Sequence, residues 1–245
     1  MDIQEQKKRG LNASTLKTIA IIGMTIDHIG NVFIDQIPLP VRCILILFGG
    51  LTFPIMAFLL TEGYKHTRNF KKYTLRLLVF AAIALLPFVW AFQAPVLNVI
   101  FTLLFGLLGI YLYDHMKKRP AFWLVFAGLT LITFVCDWPL MGVPMILCYH
   151  LINNPKKRVI IPAVIPMFVM SILTLLTALL NPEFSFAESL PNLLFAFIGC
   201  TATIFLLLRY NGEKGNAPRY FFHIYYPGHL ALFALLRGIL FGIWF

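Results

Sequence analysis

Nine apolar stretches separated by short polar or basic connections leave this chain few folds to choose from. They can be drawn at Leu16–Ile34, Val41–Gly63, Tyr73–Phe92, Val96–Tyr113, Ala121–Cys136, Leu140–Ile152, Val159–Leu180, Leu190–Leu208 and Phe221–Phe245. A helix needs roughly 20 apolar residues to cross a hydrocarbon core about 30 Å thick. It also satisfies its own backbone polar groups, as any lipid-spanning segment must. The sixth stretch is short and carries Pro144, so a tilted, broken or re-entrant helix is expected there. Hydrophobic residues make up 60% of the 245 and charged ones 12%, more apolar surface than a water-soluble domain has room to bury. The expected fold class is therefore all-α: a polytopic membrane protein of about nine transmembrane helices, forming one domain over residues 1–245.

Charge orders these crossings. The amino end holds Lys7, Lys8, Arg9 and Lys17, and the second connection holds Lys65, Arg68, Lys71, Lys72 and Arg76. Lys117–Arg119, Lys156–Arg158, and Arg209 with Lys214 and Arg219 complete 18 of the 20 basic residues, leaving only Arg42 and Arg237 for the opposite side. Because Lys and Arg collect in cytoplasmic connections, the amino end is expected in the cytoplasm and the carboxyl end outside. The sixth stretch must then cross, or Lys156–Arg158 would fall on the wrong side. The same bias absorbs the net charge of +10, and no nucleic-acid partner is expected, since no basic stripe interleaved with aromatics stands on a soluble module. A basic stretch precedes the first apolar run, as in a signal peptide. That run, however, contains Asp27 and His28 and lacks a small-residue cleavage site, which points to a retained helix. Cys43, Cys136, Cys148 and Cys200 have no CxxC spacing and no nearby histidine cluster, so neither a metal site nor a disulfide framework is expected.

Asp27 and His28 lie in the middle of LKTIAIIGMTIDHIGNVFI. Ionisable groups at bilayer depth are costly, and a chain that keeps two usually handles a proton, an ion or a reaction with them. At about 100° per residue, Lys17 and His28, eleven positions apart, fall within roughly 20° of one another and ~16 Å apart along the axis. Asp27 points about 100° away from His28. Gly23 and Gly30 flank the Asp27 face and would admit a second helix at close range. The bland alternative is that Asp27 and His28 are polar glue between helices.

The second connection runs Glu62-Gly63-Tyr64-Lys65-His66-Thr67-Arg68-Asn69-Phe70-Lys71-Lys72-Tyr73 and reaches Arg76. Cations at a helix entrance suit a polyanion, although topology alone would supply Lys and Arg. Glu62 and His66, four apart, are positioned to pair on a helix, and neither is needed for topology. Asn98 and Thr102 share a face of the fourth helix, whereas Tyr225, Tyr226 and His229 stand in the ninth. Asp137, in CDWP, is read as an external residue that ends the fifth helix.

Four blocks, LKTIAIIGMTIDHIG, FGGLTFPIMAFLLTEGYKHTRNFKKYTLRLL, NVIFTLLFG and YFFHIYYPGHL, taken in that order, resemble the TraX family of F-pilin acetylation proteins. The resemblance runs from about Lys17 to His229 and implies a single acyltransferase-like domain in a bacterial cytoplasmic membrane, acetylating the amino-terminal alanine of pilin. The Lys17-to-His28 spacing is similar, more distantly, to an Arg-to-His spacing of the transmembrane acyltransferase superfamily. Two departures stand out: Lys17 where arginine is usual, and Gly50 where arginine is expected before Phe53-Pro54.

Resemblance and residues together give an expected chemistry. Acetyl-CoA would enter from the cytosol with its phosphates among Lys17, His66, Arg68, Lys71, Lys72 and Arg76, and no metal would take part. His28 would be the general base, directly or through an acetyl-histidine. Asp27 would steady an imidazolium or a partner helix, while Asn98, Thr102, Tyr225, Tyr226 or His229 would line the acceptor side or the oxyanion position. The acceptor would be an exported peptide or a glycan or lipid hydroxyl, and membrane lipids the surroundings. The competing class is a proton-coupled transporter in which Asp27, His28, Glu62 and His229 form a pathway.

Overall fold

The computed structural model describes residues 10–181, 183–216 and 221–244; Lys7, Lys8, Arg9 and Arg219 of the charge count lie outside them. Its named elements are helical: α1 (Ala13–Val32), α2 (Leu39–Gly49), α3 (Thr52–His66), α4 (Phe70–Phe92), α5 (Val99–His115), α6 (Arg119–Ile132), α7 (Gly142–Leu151), α8 (Pro155–Leu180), α9 (Phe186–Leu194), α10 (Cys200–Leu207) and α11 (Phe221–Phe241). A 3-10 turn, Thr133–Val135, extends α6, and a π-helical turn, Phe195–Gly199, joins α9 to α10. Helix thus occupies each of the nine stretches. Among the described residues, five helical runs are long and apolar enough to cross a membrane: Leu39–His66, Phe70–Phe92, Pro155–Leu180, Phe186–Leu207 and Ile224–Phe241. The α7 helix has 10 residues, ~15 Å of rise, which is half a hydrocarbon core.

The chain divides into two compact units, each built from two separate stretches. The first comprises residues 1–56 and 153–221, and the second residues 57–152 and 222–245.

In the first unit α1 packs on α2, and α2 packs on α9 and the π-helical turn. Small residues set the approach. A Cβ on Gly23 would stand 2.7 Å from the Phe48 carbonyl oxygen, and one on Gly30 would stand 3.0 Å from Leu45 Cβ. The close approach expected of these glycines is therefore present, and α2 is the helix that makes it. Gly50 and Gly199 bring a second pair of backbones together: a Cβ on Gly50 would meet Phe195 O at 2.5 Å, and one on Gly199 would overlap Leu47 O. A side chain at position 50 would meet the backbone of residues 195, 199 and 200, so in this structure the position takes glycine. At the other end of α1, Asn12 caps the helix by accepting from Thr15 N at 2.9 Å. The 209–214 segment closes the same end, with Ala13 N donating to Glu213 O at 2.8 Å and Leu11 N to Arg209 O at 2.7 Å.

In the second unit α5 packs against α4, α6 and α7. Asn98 caps α5 by accepting from Ile100 N, and its amide donates to Ala81 O at 2.8 Å. Connections that the charge count assigns to one side meet one another: Tyr64, Asp114 and His150 at one end of the unit, and residues 97, 135 and 137 at the other.

Gly199→Ala is expected to destabilise the protein by about 1–3 kcal/mol, because the Leu47 carbonyl must move. Gly128→Ala, whose added Cβ meets nothing within 4 Å, leaves stability unchanged or slightly higher. Unfolding of both variants in mixed SDS micelles checks this, and equal midpoints would show that the contact carries no constraint.

Candidate functional site

In the first unit, Lys17, Asp27 and His28 all lie on α1, whose continuity from Ala13 to Val32 preserves the register expected between Lys17 and His28. His28 is 6% exposed. Asp27 reaches across to α2, where it occupies the space a side chain on Gly49 would take. Its Oδ1 accepts from Asn31 Nδ2 at 3.0 Å, one helical turn on. The carboxylate is therefore held by a turn of its own helix and by a glycine notch in the next. Thr52 Oγ1 donates to Ala20 O at 3.0 Å and ties the start of α3 to α1 nearby.

The remaining candidates belong to the second unit. His66, Arg68, Lys71, Lys72 and Arg76 are all exposed, on or beside the α3–α4 connection. Asn69 caps α4 by accepting from Lys72 N at 2.9 Å. Glu62 pairs with Lys65, Oε1 to Nζ 3.3 Å, an exposed contact of little energetic weight. The Arg76 guanidinium lies 5.3 Å from the centre of the Tyr73 ring.

Asn98 and Thr102 are both fully buried. Asn98 is the cap of α5 rather than a residue within it, and Thr102 Oγ1 donates to the Asp137 carbonyl oxygen. Both thus do structural bonding, which leaves less of them to line an acceptor or oxyanion position. In α11, His229 Nδ1 lies 2.8 Å from Tyr225 O. A carbonyl oxygen only accepts, so Nδ1 carries the hydrogen. The Tyr225 ring stacks on this imidazole at 5.0 Å and 16°, and the Tyr226 ring lies 5.8 Å away. Tyr226 also sits beside the Val99 backbone and the Asp137 carboxylate, so the α5 entrance and α11 share one polar cluster.

Three features escaped the sequence reading. Asp137 does more than end a helix. Leu97 N donates to Val135 O and Asp137 N to Leu97 O, each at 2.8 Å, clasping the α4–α5 and α6–α7 connections together. Trp138 and Leu140 take left-handed backbone angles, φ 62° and 60°, to make the turn that follows. Burial pushes the Asp137 carboxyl up to about 6, against the opposing pull of the Trp138 N–H on its Oδ1. The second feature is Arg237, 5% exposed, whose guanidinium donates to Ala91 O and Trp90 O at 2.8 Å each. It closes the carboxyl end of α4, where carbonyls lack helical partners and the dipole favours a cation. The third is a carboxylate between two rings: Asp114 Oδ2 accepts from Tyr64 OH at 2.9 Å, and Oδ1 lies 2.9 Å from His150 Nε2. The only sequence signal for it was a lone acid at the end of an apolar stretch on a basic rim.

A helical protein able to span a bilayer several times, with ionisable groups enclosed by its helices, is the class these observations define. The family model for the TraX protein matches residues 12–237. The chain belongs to the TraX family. A similar protein is the probable fimbrial assembly protein FimC, serogroup H1, of Dichelobacter nodosus, 29% identical over 239 residues that cover 90% of this chain and 93% of that one. No solved structure matches the chain.

Two outcomes follow from the missed residues. The Asp137 carboxyl is raised from 3.8 to about 6, so the fold favours its protonated form. That contribution is fully present below about pH 4 and lost as pH rises through about 6, a change of up to ~3 kcal/mol. Asp137→Asn should flatten this part of the pH–stability curve in detergent, and an unchanged slope would show that the carboxyl is solvated. Arg237→Met, which removes charged donors from two buried carbonyls, should cost on the order of 3 kcal/mol in the same unfolding measurement, with Arg237→Lys in between.

Proposed function

We propose that this protein is a membrane-embedded acetyltransferase that moves an acetyl group from cytosolic acetyl-CoA to the N-terminal amine of an exported, pilin-like peptide. In this reading all nine helical stretches cross the bacterial cytoplasmic membrane with the amino end inside. Membership of the TraX family and a relative described as a probable fimbrial assembly protein support a role in making surface fibres. The observation that carries the chemistry is His28, a buried imidazole on the α1 face that also bears Lys17, next to a carboxylate fixed by Gly49.

Acyl transfer needs a base, since an ammonium group has no lone pair to attack with and the attacking amine must shed a proton. A histidine titrating near neutrality suits that task. The amine nitrogen forms a bond to the thioester carbonyl carbon, and His28 takes the amine proton. The carbon–sulfur bond then breaks, and the departing thiolate takes that proton from the imidazolium. Asp27 favours the charged ring while it lasts. The cations of the Lys65–Arg76 connection raise the local concentration of an anionic donor.

Purified full-length protein in nanodiscs, given radiolabelled acetyl-CoA and a peptide with a free amino terminus, tests this directly. His28→Ala is expected to slow transfer by about 10²–10⁴-fold while CoA binding persists. Acetylation at the wild-type rate would exclude His28 as the base. Flux of a solute coupled to a proton gradient, with no acetyl-CoA consumed, would favour the transporter reading instead.

A further inference from the structure

Within the second unit the rim formed by the ends of α3, α5 and α7 and the start of α4 carries a stack of rings. Phe70 lies on Tyr111 with centroids 3.9 Å apart and planes 12° apart, and Tyr111 lies on His115 at 4.0 Å and 24°. The column is braced from both sides. Tyr64 meets Phe70 edge-on at 6.2 Å and is itself held by Asp114, which also engages His150. His115 Nδ1 donates to Tyr111 O at 2.8 Å, which fixes the plane of an imidazole that is otherwise exposed at the last turn of α5. Cations surround it in sequence: Lys65, Arg68, Lys71, Lys72 and Arg76 on one connection, Lys117, Lys118 and Arg119 on the other. The Arg119 guanidinium is drawn over Tyr113 at 4.2 Å, while Lys71, Lys72, Lys117 and Lys118 are exposed. The two carboxylates of this rim are engaged, Glu62 by Lys65 and Asp114 by Tyr64 and His150.

An interfacial aromatic belt would account for tyrosines at this depth. It gives no reason for three parallel rings ending in an orientationally fixed, solvent-exposed imidazole among lysines. A flat base extends a ring stack, and phosphates pair with ammonium and guanidinium groups. We propose that the Phe70–Tyr111–His115 column is a stacking platform for the base of a purine nucleotide whose phosphates are met by Lys71, Lys72, Lys117 and Lys118. Given the acetyl-CoA-dependent function proposed above, on which this assignment rests, the nucleotide is the adenosine bisphosphate end of the donor. The platform adds to charge attraction a contact that distinguishes a nucleotide from any other polyanion.

The test uses the full chain in neutral phosphatidylcholine nanodiscs, with binding of etheno-CoA, adenosine 3′,5′-bisphosphate and pyrophosphate measured separately. His115→Ala is expected to weaken both adenine ligands by about 5- to 20-fold and to leave pyrophosphate unchanged. Lys117→Ala with Lys118→Ala is expected to weaken all three. Because His115 is exposed, its replacement is not expected to unfold the protein, and His115→Phe should restore stacking. CoA binding that ignores His115→Ala overturns the platform and leaves the acetyltransferase reading standing. Binding of the bisphosphate but not of CoA overturns the donor assignment and keeps the platform. Equal loss of pyrophosphate and adenine ligands in His115→Ala, or no adenine binding at all, overturns the platform.

Discussion

A helix in hydrocarbon gains little by hiding its leucines from lipid, so what binds one such helix to another is how closely their backbones can come. In the first unit that approach is made through glycines. Gly23 and Gly30 let α2 lie against α1, and Gly50 and Gly199 let the end of α2 meet the π-helical turn. Asp27 depends on the same device, because its carboxylate fits the notch that Gly49 leaves. An ionisable group within such a contact has its position set by two backbones rather than by rotamer preference. If His28 is the base of a reaction, the helix carrying it is held by those contacts and not by the chemistry.

The second constraint concerns helix ends, whose unpaired N–H and C=O groups cannot be left dry. The chain meets it with side chains at some ends and neighbouring backbone at others. Asn12, Asn69, Asn98 and Asn154 each accept from backbone N–H groups at a helix start. Glu213 and Lys214 carbonyls accept from the first N–H groups of α1, and Arg237 closes α4. These devices use polar residues that, seen in sequence alone, invite a functional reading. Asn98 and Thr102 are examples: at membrane depth they look like donors for chemistry, yet their bonds hold α5 to its neighbours.

Periodicity and hydropathy made most of the helices legible, because each helix is a local object with a local signal. Gly23 and Gly30 were readable for the same reason, as small residues beside a charged face of one helix. What could not be read depends on partners far along the chain. Asp114 meets His150 across 36 positions, and Arg237 meets Ala91 across 146. No spacing rule joins such pairs. Arg237 entered the charge count only as one of two cations left for the sparsely basic side, whereas its guanidinium caps the end of α4. The π-helical turn broke the eighth stretch without any mark in its composition, since Phe195–Gly199 is as apolar as the helices around it.

Polar side chains set among the helices are held here in more than one way. Asn98 and Arg237 bond to backbone groups at helix ends, Ile100 N at the start of α5 and the Trp90 and Ala91 carbonyls at the end of α4, and Thr102 bonds to the Asp137 carbonyl oxygen. Asp27 accepts from a side chain one turn along its own helix, and its carboxylate fills the notch at Gly49. An acid set into the α1–α2 contact, adjacent in sequence to a buried imidazole on α1, is what the proposed reaction would draw on.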